Sequence, residues 1–136
     1  MESLIFIDSN IWCYYFDRSA LEHDIVSDKL EQALDEGVAI NTVVEMEVAH
    51  YLIKNLGVQG KKKMDVFLSF HMQVVDFDQC LAKRSIELLA KFSQTGIGGR
   101  DATILAAMEE LGIKKLMTHD RAFKRIDSIE VIDPIV

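Results

Sequence analysis

Five short apolar runs punctuate the chain: LIFI at 4–7, VAI at 38–40, QVV at 73–75, KKLMT at 114–118 and IEVI at 129–132. Each has the length of a strand, and LIFI is unbroken, as a strand covered on both faces is. Between the runs the apolar spacing turns helical. Ile25, Leu30, Ala33 and Leu34 precede Gly37; Met46, Leu52, Ile53 and Leu56 precede Gly57; Ile104, Leu105, Met108 and Leu111 precede Gly112. Each glycine stands where a helix stops. Met64, Phe67, Leu68 and Phe70 mark a further amphipathic segment, and Leu81, Ile86, Leu89 and Phe92 another. Strands alternating with helices predict an α/β domain whose largely parallel sheet is covered on both faces, because parallel strands need crossovers. In such sheets ligands sit beyond the carboxyl ends of the strands.

Composition narrows this picture without changing it. A chain of 136 residues with a single proline (Pro134) and 7 glycines offers no linker and no internal repeat, so one domain spanning 1–136 is expected. That length buries roughly two-thirds of the unfolded surface. Hydrophobic residues make up 49%, yet no apolar run approaches the ~20 residues that cross a bilayer. The start, MESLIFIDSN, has neither basic leader nor cleavage site, and a cytoplasmic location with no membrane partner is the expectation. Cys13 and Cys80, far apart and outside any CxxC, read as two reduced, largely buried thiols. The net charge of −7 and pI near 5.0 do not suggest a general nucleic-acid binder, since phosphate contacts need local cations. Basic patches or a bound metal would have to supply them.

Candidate chemistry lies in the acids. Asp8 closes the first strand with Asn10 two residues on, and Asp120 follows LMT at the end of the fourth, so both project from one edge of a parallel sheet. Glu47 falls in the first turns of the helix after the second strand, and Asp101 opens the helix before the fourth. Each also has a plain structural reading: Asp8 as an N-cap for NIWCYYF, Asp101 as a cap after GIGG, Glu47 as one face of a helix shared with Glu45, Asp120 as a turn residue. If the four converge, mutual repulsion raises their pKa values unless cations bind among them. Hard ions such as Mg²⁺ or Mn²⁺ accept carboxylate oxygens, and a pair ~3.5–4 Å apart activates water against a phosphodiester. His23, His50, His71 and His119 show no ligand spacing, and His119 is notable only beside Asp120.

In order, IFIDSN, INTVVEMEVAHYL, RDATILAAMEELGI and LMTHDRAF resemble the PIN-domain ribonucleases, especially the toxin subunits of VapBC toxin–antitoxin pairs, over residues 4 to about 132. The resemblance implies a three-layer α/β/α sandwich with a five-stranded sheet of order 3-2-1-4-5. It implies that Asp8, Glu47, Asp101 and Asp120 are the catalytic, metal-binding set for Mg²⁺ or Mn²⁺, with Asn10 and Thr118 supporting them. Glu45 is the alternative to Glu47; the continuation EVAHYL favours Glu47. Where many members carry another acid after Asp120, this chain has Arg121, Ala122, Phe123 and Lys124, which implies one tightly held ion with a second recruited by substrate. The implied reaction is attack by a metal-activated water on RNA, leaving 5′-phosphate and 3′-hydroxyl ends.

Implied partners are RNA, a small antitoxin whose tail blocks the acidic site, and a second copy in a homodimer. Apolar helices near 43–72 are candidate partner surfaces. The GKKK run (60–63), with Lys83, Arg84, Arg100, Arg121, Lys124 and Arg125, supplies candidate phosphate contacts, though a solvated face explains most of them. Three rival readings stand beside the toxin: a PIN nuclease of RNA processing, a catalytically silent PIN-like module, and a haloacid-dehalogenase-like phosphatase. Asn10 argues against the last, because its amide cannot exchange a proton where that chemistry needs a second acid.

Overall fold

The computed structural model describes residues 4–136; the first three positions of the single-domain span 1–136, and of the start MESLIFIDSN, lie outside the described residues. The chain runs β1 (Ile5–Ile7), α1 (Ser9–Phe16), α2 (His23–Glu36), β2 (Val38–Asn41), α3 (Thr42–Leu56), α4 (Val58–Ser69), β3 (Gln73–Val75), α5 (Gln79–Lys91), α6 (Gly99–Leu111), β4 (Lys115–Met117) and β5 (Glu130–Ile132), with a 3-10 turn over Arg121–Arg125. All five strands pair in parallel in the order β3-β2-β1-β4-β5. The expected three-layer PIN-like sandwich and its strand order are therefore present. Helices α1 to α4 pack among themselves and α5 packs on α6, the two groups that the right-handed crossover rule assigns to opposite faces when the strand order reverses.

Burial explains the strands. Ile5, Phe6 and Ile7 of β1, Val38, Ala39 and Ile40 of β2, and Leu116 and Met117 of β4 are buried, as inner strands covered on both sides must be. The outer strands carry the polarity: Gln73 in β3 and Glu130 in β5 are exposed, which blunts the edges. Trp12, Phe16, Phe67 and Phe70 form an aromatic cluster that docks α1 on α4, with Trp12 and Phe67 centroids 4.7 Å apart. The Trp12 indole N–H donates to the Ile7 carbonyl at 3.2 Å, so this ring satisfies its polar atom inside the core.

Several helical assignments need correction in face or number. Helix α1 stands apart from the five amphipathic segments of the sequence, where its residues figured only as what Asp8 might cap. None of its eight residues is exposed, so it shows no polar face for a periodicity to reveal. In α3 the buried stripe is Val44, Val48 and Leu52, while Met46 and Ile53 stand in solvent; Ile25, Leu68 and Ile86 are likewise exposed. Of the two cysteines, Cys13 is buried as expected but Cys80 is exposed, because it lies on the solvated first turn of α5. Among the described residues no helix is long and apolar enough to cross a membrane.

Candidate active site

The acids are placed by backbone rules before any chemistry is asked of them. Since β1 and β4 are neighbours in parallel, their carboxyl ends lie side by side, and the Asp8 amide donates to the Met117 carbonyl at 3.0 Å. Asp8 then caps α1: the Ser9 amide donates to Asp8 Oδ1 at 2.7 Å. From β4 the buried Thr118 hydroxyl donates to Asp8 Oδ2 at 2.7 Å, and in turn Thr118 Oγ1 accepts from the Asp120 amide at 3.0 Å. This relay fixes Asp8 against the loop that carries Asp120. The Asp120 carboxylate itself caps the 3-10 turn, accepting from the Ala122 amide at 3.0 Å.

The other two acids arrive on helices that begin at the same edge. Asn41 ends β2 and caps α3, its Oδ1 accepting from the Val44 amide at 2.8 Å, while its Nδ2 donates to the Thr103 carbonyl of α6 at 3.2 Å. One buried amide thus binds the start of α3 to α6, bringing Glu47 toward Asp101. Asp101 lies in the first turn of α6, where its Oδ2 accepts from the Gly98 amide at 3.0 Å, a favourable place for a carboxylate at a helix N-terminus. Glu47 is held less completely. Arg100 forms an ion pair with Glu47 Oε2 and the Ser9 side chain adds a hydrogen bond, while both Glu47 oxygens are buried. Asn10 Oδ1 is buried and has no hydrogen-bond partner.

The acids share one electrostatic environment. Burial raises the pKa of Asp8, only partly offset by the Thr118 and Ser9 hydrogen bonds, and the Asp101 charge adds to the rise. Burial also raises Glu47, opposed by the Arg100 charge and a Ser9 side-chain hydrogen bond and reinforced by Asp8 and Asp101. Asp101 is raised by burial, against the Gly98 amide, with Asp120 pushing further. Glu45 lies elsewhere: burial raises it too, but its charged neighbour is Asp76. Asp8, Glu47, Asp101 and Asp120 are thus coupled pairwise through their charges and Thr118 is hydrogen-bonded to Asp8, whereas Glu45 couples to Asp76; Asn10 is half-buried in the first turn of α1. Among the described residues, no three His, Cys, Asp or Glu side chains stand close enough to form a ready-made metal shell. The donor set is nonetheless all oxygen and includes the buried Glu47 oxygens, which suits a hard divalent cation.

Sequence reasoning overlooked Asp133. Its buried carboxylate faces His119 Nδ1 at 3.0 Å and accepts from Lys124 Nζ at 2.9 Å and the Ile135 amide at 3.0 Å. Burial alone would raise Asp133, but these three partners more than reverse it and hold the carboxyl below the ordinary range. The available signal was its position directly after the IEVI strand, the same rule that picked out Asp8 and Asp120. Several candidate phosphate contacts are already engaged: Lys61 with Asp65, Lys63 with the Phe16 carbonyl, Arg84 with Glu109, Arg125 with the Thr95 carbonyl and Lys124 with Asp133.

Comparison with known proteins agrees with this geometry. The family described as the PIN domain matches residues 5–129. VapBC2 of Rickettsia felis, solved bound to a DNA fragment from its promoter, is 25% identical with a TM-score of 0.75, covering 96% of this chain and 98% of that one. A toxin–antitoxin complex from Klebsiella pneumoniae gives 24% identity and 0.73 over 96% and 97% of the two chains. VapC20 of Mycobacterium tuberculosis, a sarcin–ricin-loop-cleaving toxin, gives 19% and 0.76 over 93% and 98%. No curated protein matches the chain.

Proposed function

The chain belongs to the PIN-domain family, and from that premise we propose that it is a divalent-metal-dependent endoribonuclease, the toxin of a toxin–antitoxin pair. The observation that supports the reading is the electrostatic coupling of four acids near the carboxyl edge of the sheet: burial and like charge raise Asp8, Glu47 and Asp101, and Asp120 acts on Asp101. Asp8, Glu47, Asp101 and Asp120 are the residues to hold Mg²⁺ or Mn²⁺. When bound, such an ion acidifies a water and neutralises charge that develops on the phosphate oxygens.

The chain's own residues then have defined tasks. Thr118 fixes Asp8 in one rotamer through its hydroxyl, and the Gly98 amide does the same for Asp101. Asn10 Oδ1, buried without a hydrogen-bond partner two residues after Asp8, is the acceptor that would orient a water. The products of this reading are 5′-phosphate and 3′-hydroxyl ends. An antitoxin partner and a homodimer belong to the same proposal. The toxin–antitoxin complexes among the structural neighbours support the antitoxin, and Met46 (70% exposed), Val58 (74%) and Val66 and Leu68 on α3 and α4 are solvated apolar side chains that suit a protein partner. Family membership, together with Asn10, leaves no ground for the phosphatase.

One observation favours a second reading, the catalytically silent PIN-like module: the acids do not form a closed coordination shell. The discriminating experiment incubates purified protein with structured and single-stranded RNAs in Mg²⁺, Mn²⁺ or EDTA, beside an Asp8→Asn/Asp101→Asn control that exposes contaminating nuclease. The nuclease predicts cleavage that needs the metal and disappears in the control. Metal binding without cleavage of any RNA would favour the silent module.

A further inference from the structure

Arg100 bears on more of the acidic site than any role as a surface cation requires. It is paired with Glu47, and its charge favours the ionised forms of Asp8 and Asp101 as well. The pairing is unequal. The Arg100 side chain is 65% exposed while that of Glu47 is 16% exposed; a hydrogen bond with the Ser9 side chain also favours the Glu47 charge, and Asp8 and Asp101 oppose it. A buried carboxylate needs such partners, because leaving it without them is costly. Here the counter-charge comes from a guanidinium that stands largely in solvent. Arg100 sits in the first turn of α6, next to Asp101, and its side chain reaches Glu47 from the solvent side.

Resting on the metal-dependent reading above, we propose that Arg100 is an exchangeable occupant of the site: it neutralises Glu47 in the ion-free protein, yields Glu47 to the divalent cation, and then presents its guanidinium to an RNA phosphate at the rim. The guanidinium and the ion compete for the same buried oxygens, so the coupling between them is reciprocal. A released guanidinium offers planar paired donors of the kind that phosphate accepts.

The test compares wild type, Arg100→Ala and Arg100→Lys in three measurements: Mg²⁺ and Mn²⁺ affinity by calorimetry, KM for RNA at saturating metal, and the salt dependence of RNA binding. Arg100→Ala is expected to bind the ion roughly fivefold or more tightly, in line with loss of a competing ligand. It is also expected to raise KM several-fold with kcat little changed, and to lower the salt dependence by about one phosphate contact. Arg100→Lys is expected to restore the wild-type ion affinity but only part of the KM. An Arg100→Ala protein whose ion affinity is unchanged or weaker, or whose KM and salt dependence are unmoved, makes the ion pair a fixed structural contact and overturns the exchange. If wild type binds neither Mg²⁺ nor Mn²⁺, the metal-dependent reading falls and the exchange falls with it; binding that is equal in all three proteins removes the exchange alone.

Discussion

Asp8 meets two opposed demands: its oxygens are satisfied by Ser9 and Thr118, yet burial and the neighbouring Asp101 disfavour its charge. Glu47 and Asp101 share this condition. A carboxyl whose folded pKa lies above its unfolded value stabilises the fold fully below the unfolded pKa, and that stability is lost as pH rises through the folded one. The ion-free protein is therefore expected to melt at a higher temperature at mildly acidic pH than at mildly alkaline pH, in a window where Asp133 and Asp17, both held below the ordinary range, remain ionised. Asp8→Asn should shrink that difference and leave the neutral-pH melting temperature equal or higher, since asparagine also caps a helix. A large loss of stability at both pH values would make Asp8 a structural residue and remove it from the site. Asp8 and Asp120 were legible because they follow strands; Glu47 was distinguishable from Glu45 only weakly, since both sit two residues apart on one helix and only packing against α6 separates their surroundings. Arg100 was visible as a cation but not as Glu47's partner, because nothing local in the sequence joins α3 to α6.

Among the elements, α3 and α4 depend on one close approach. Gly57 turns the chain between them with φ +58°, and Gly60 then lies so near α3 that a Cβ there would stand 2.0 Å from the Leu52 carbonyl oxygen and 2.4 Å from its carbon. Both are backbone atoms and cannot swing aside. Alanine is ordinarily the better helix former by about 1 kcal/mol, so Gly60→Ala isolates the contact. It is expected to destabilise the protein by about 2–3 kcal/mol, as overpacking does, read as a lower midpoint in urea with an unchanged slope. A midpoint at or above wild type would show that the two helices separate freely. The sequence displayed this junction as a helix stop at Gly57 but gave no reason for Gly60. It displayed all five strands within a residue or so of their ends, because short apolar runs bounded by polar residues are local signals, and it concealed α1, whose burial on all sides erases the amphipathic period.

Over the whole molecule, the parallel order β3-β2-β1-β4-β5 reverses direction about β1, so the strand ends carrying Asp8 and Thr118 open onto the crevice that such sheets use for ligands. A protein of net charge −7 that gathers further acids in that crevice gains most from a cation there. The most direct test of this account is a crystal soaked in Mn²⁺ and measured for anomalous scattering. The account predicts a peak within coordination distance, about 2.0–2.6 Å, of carboxylate oxygens from Asp8 and at least one of Glu47, Asp101 and Asp120, lost in the Asp8→Asn/Asp101→Asn protein. A well-ordered soaked crystal with no peak among these four residues would contradict it.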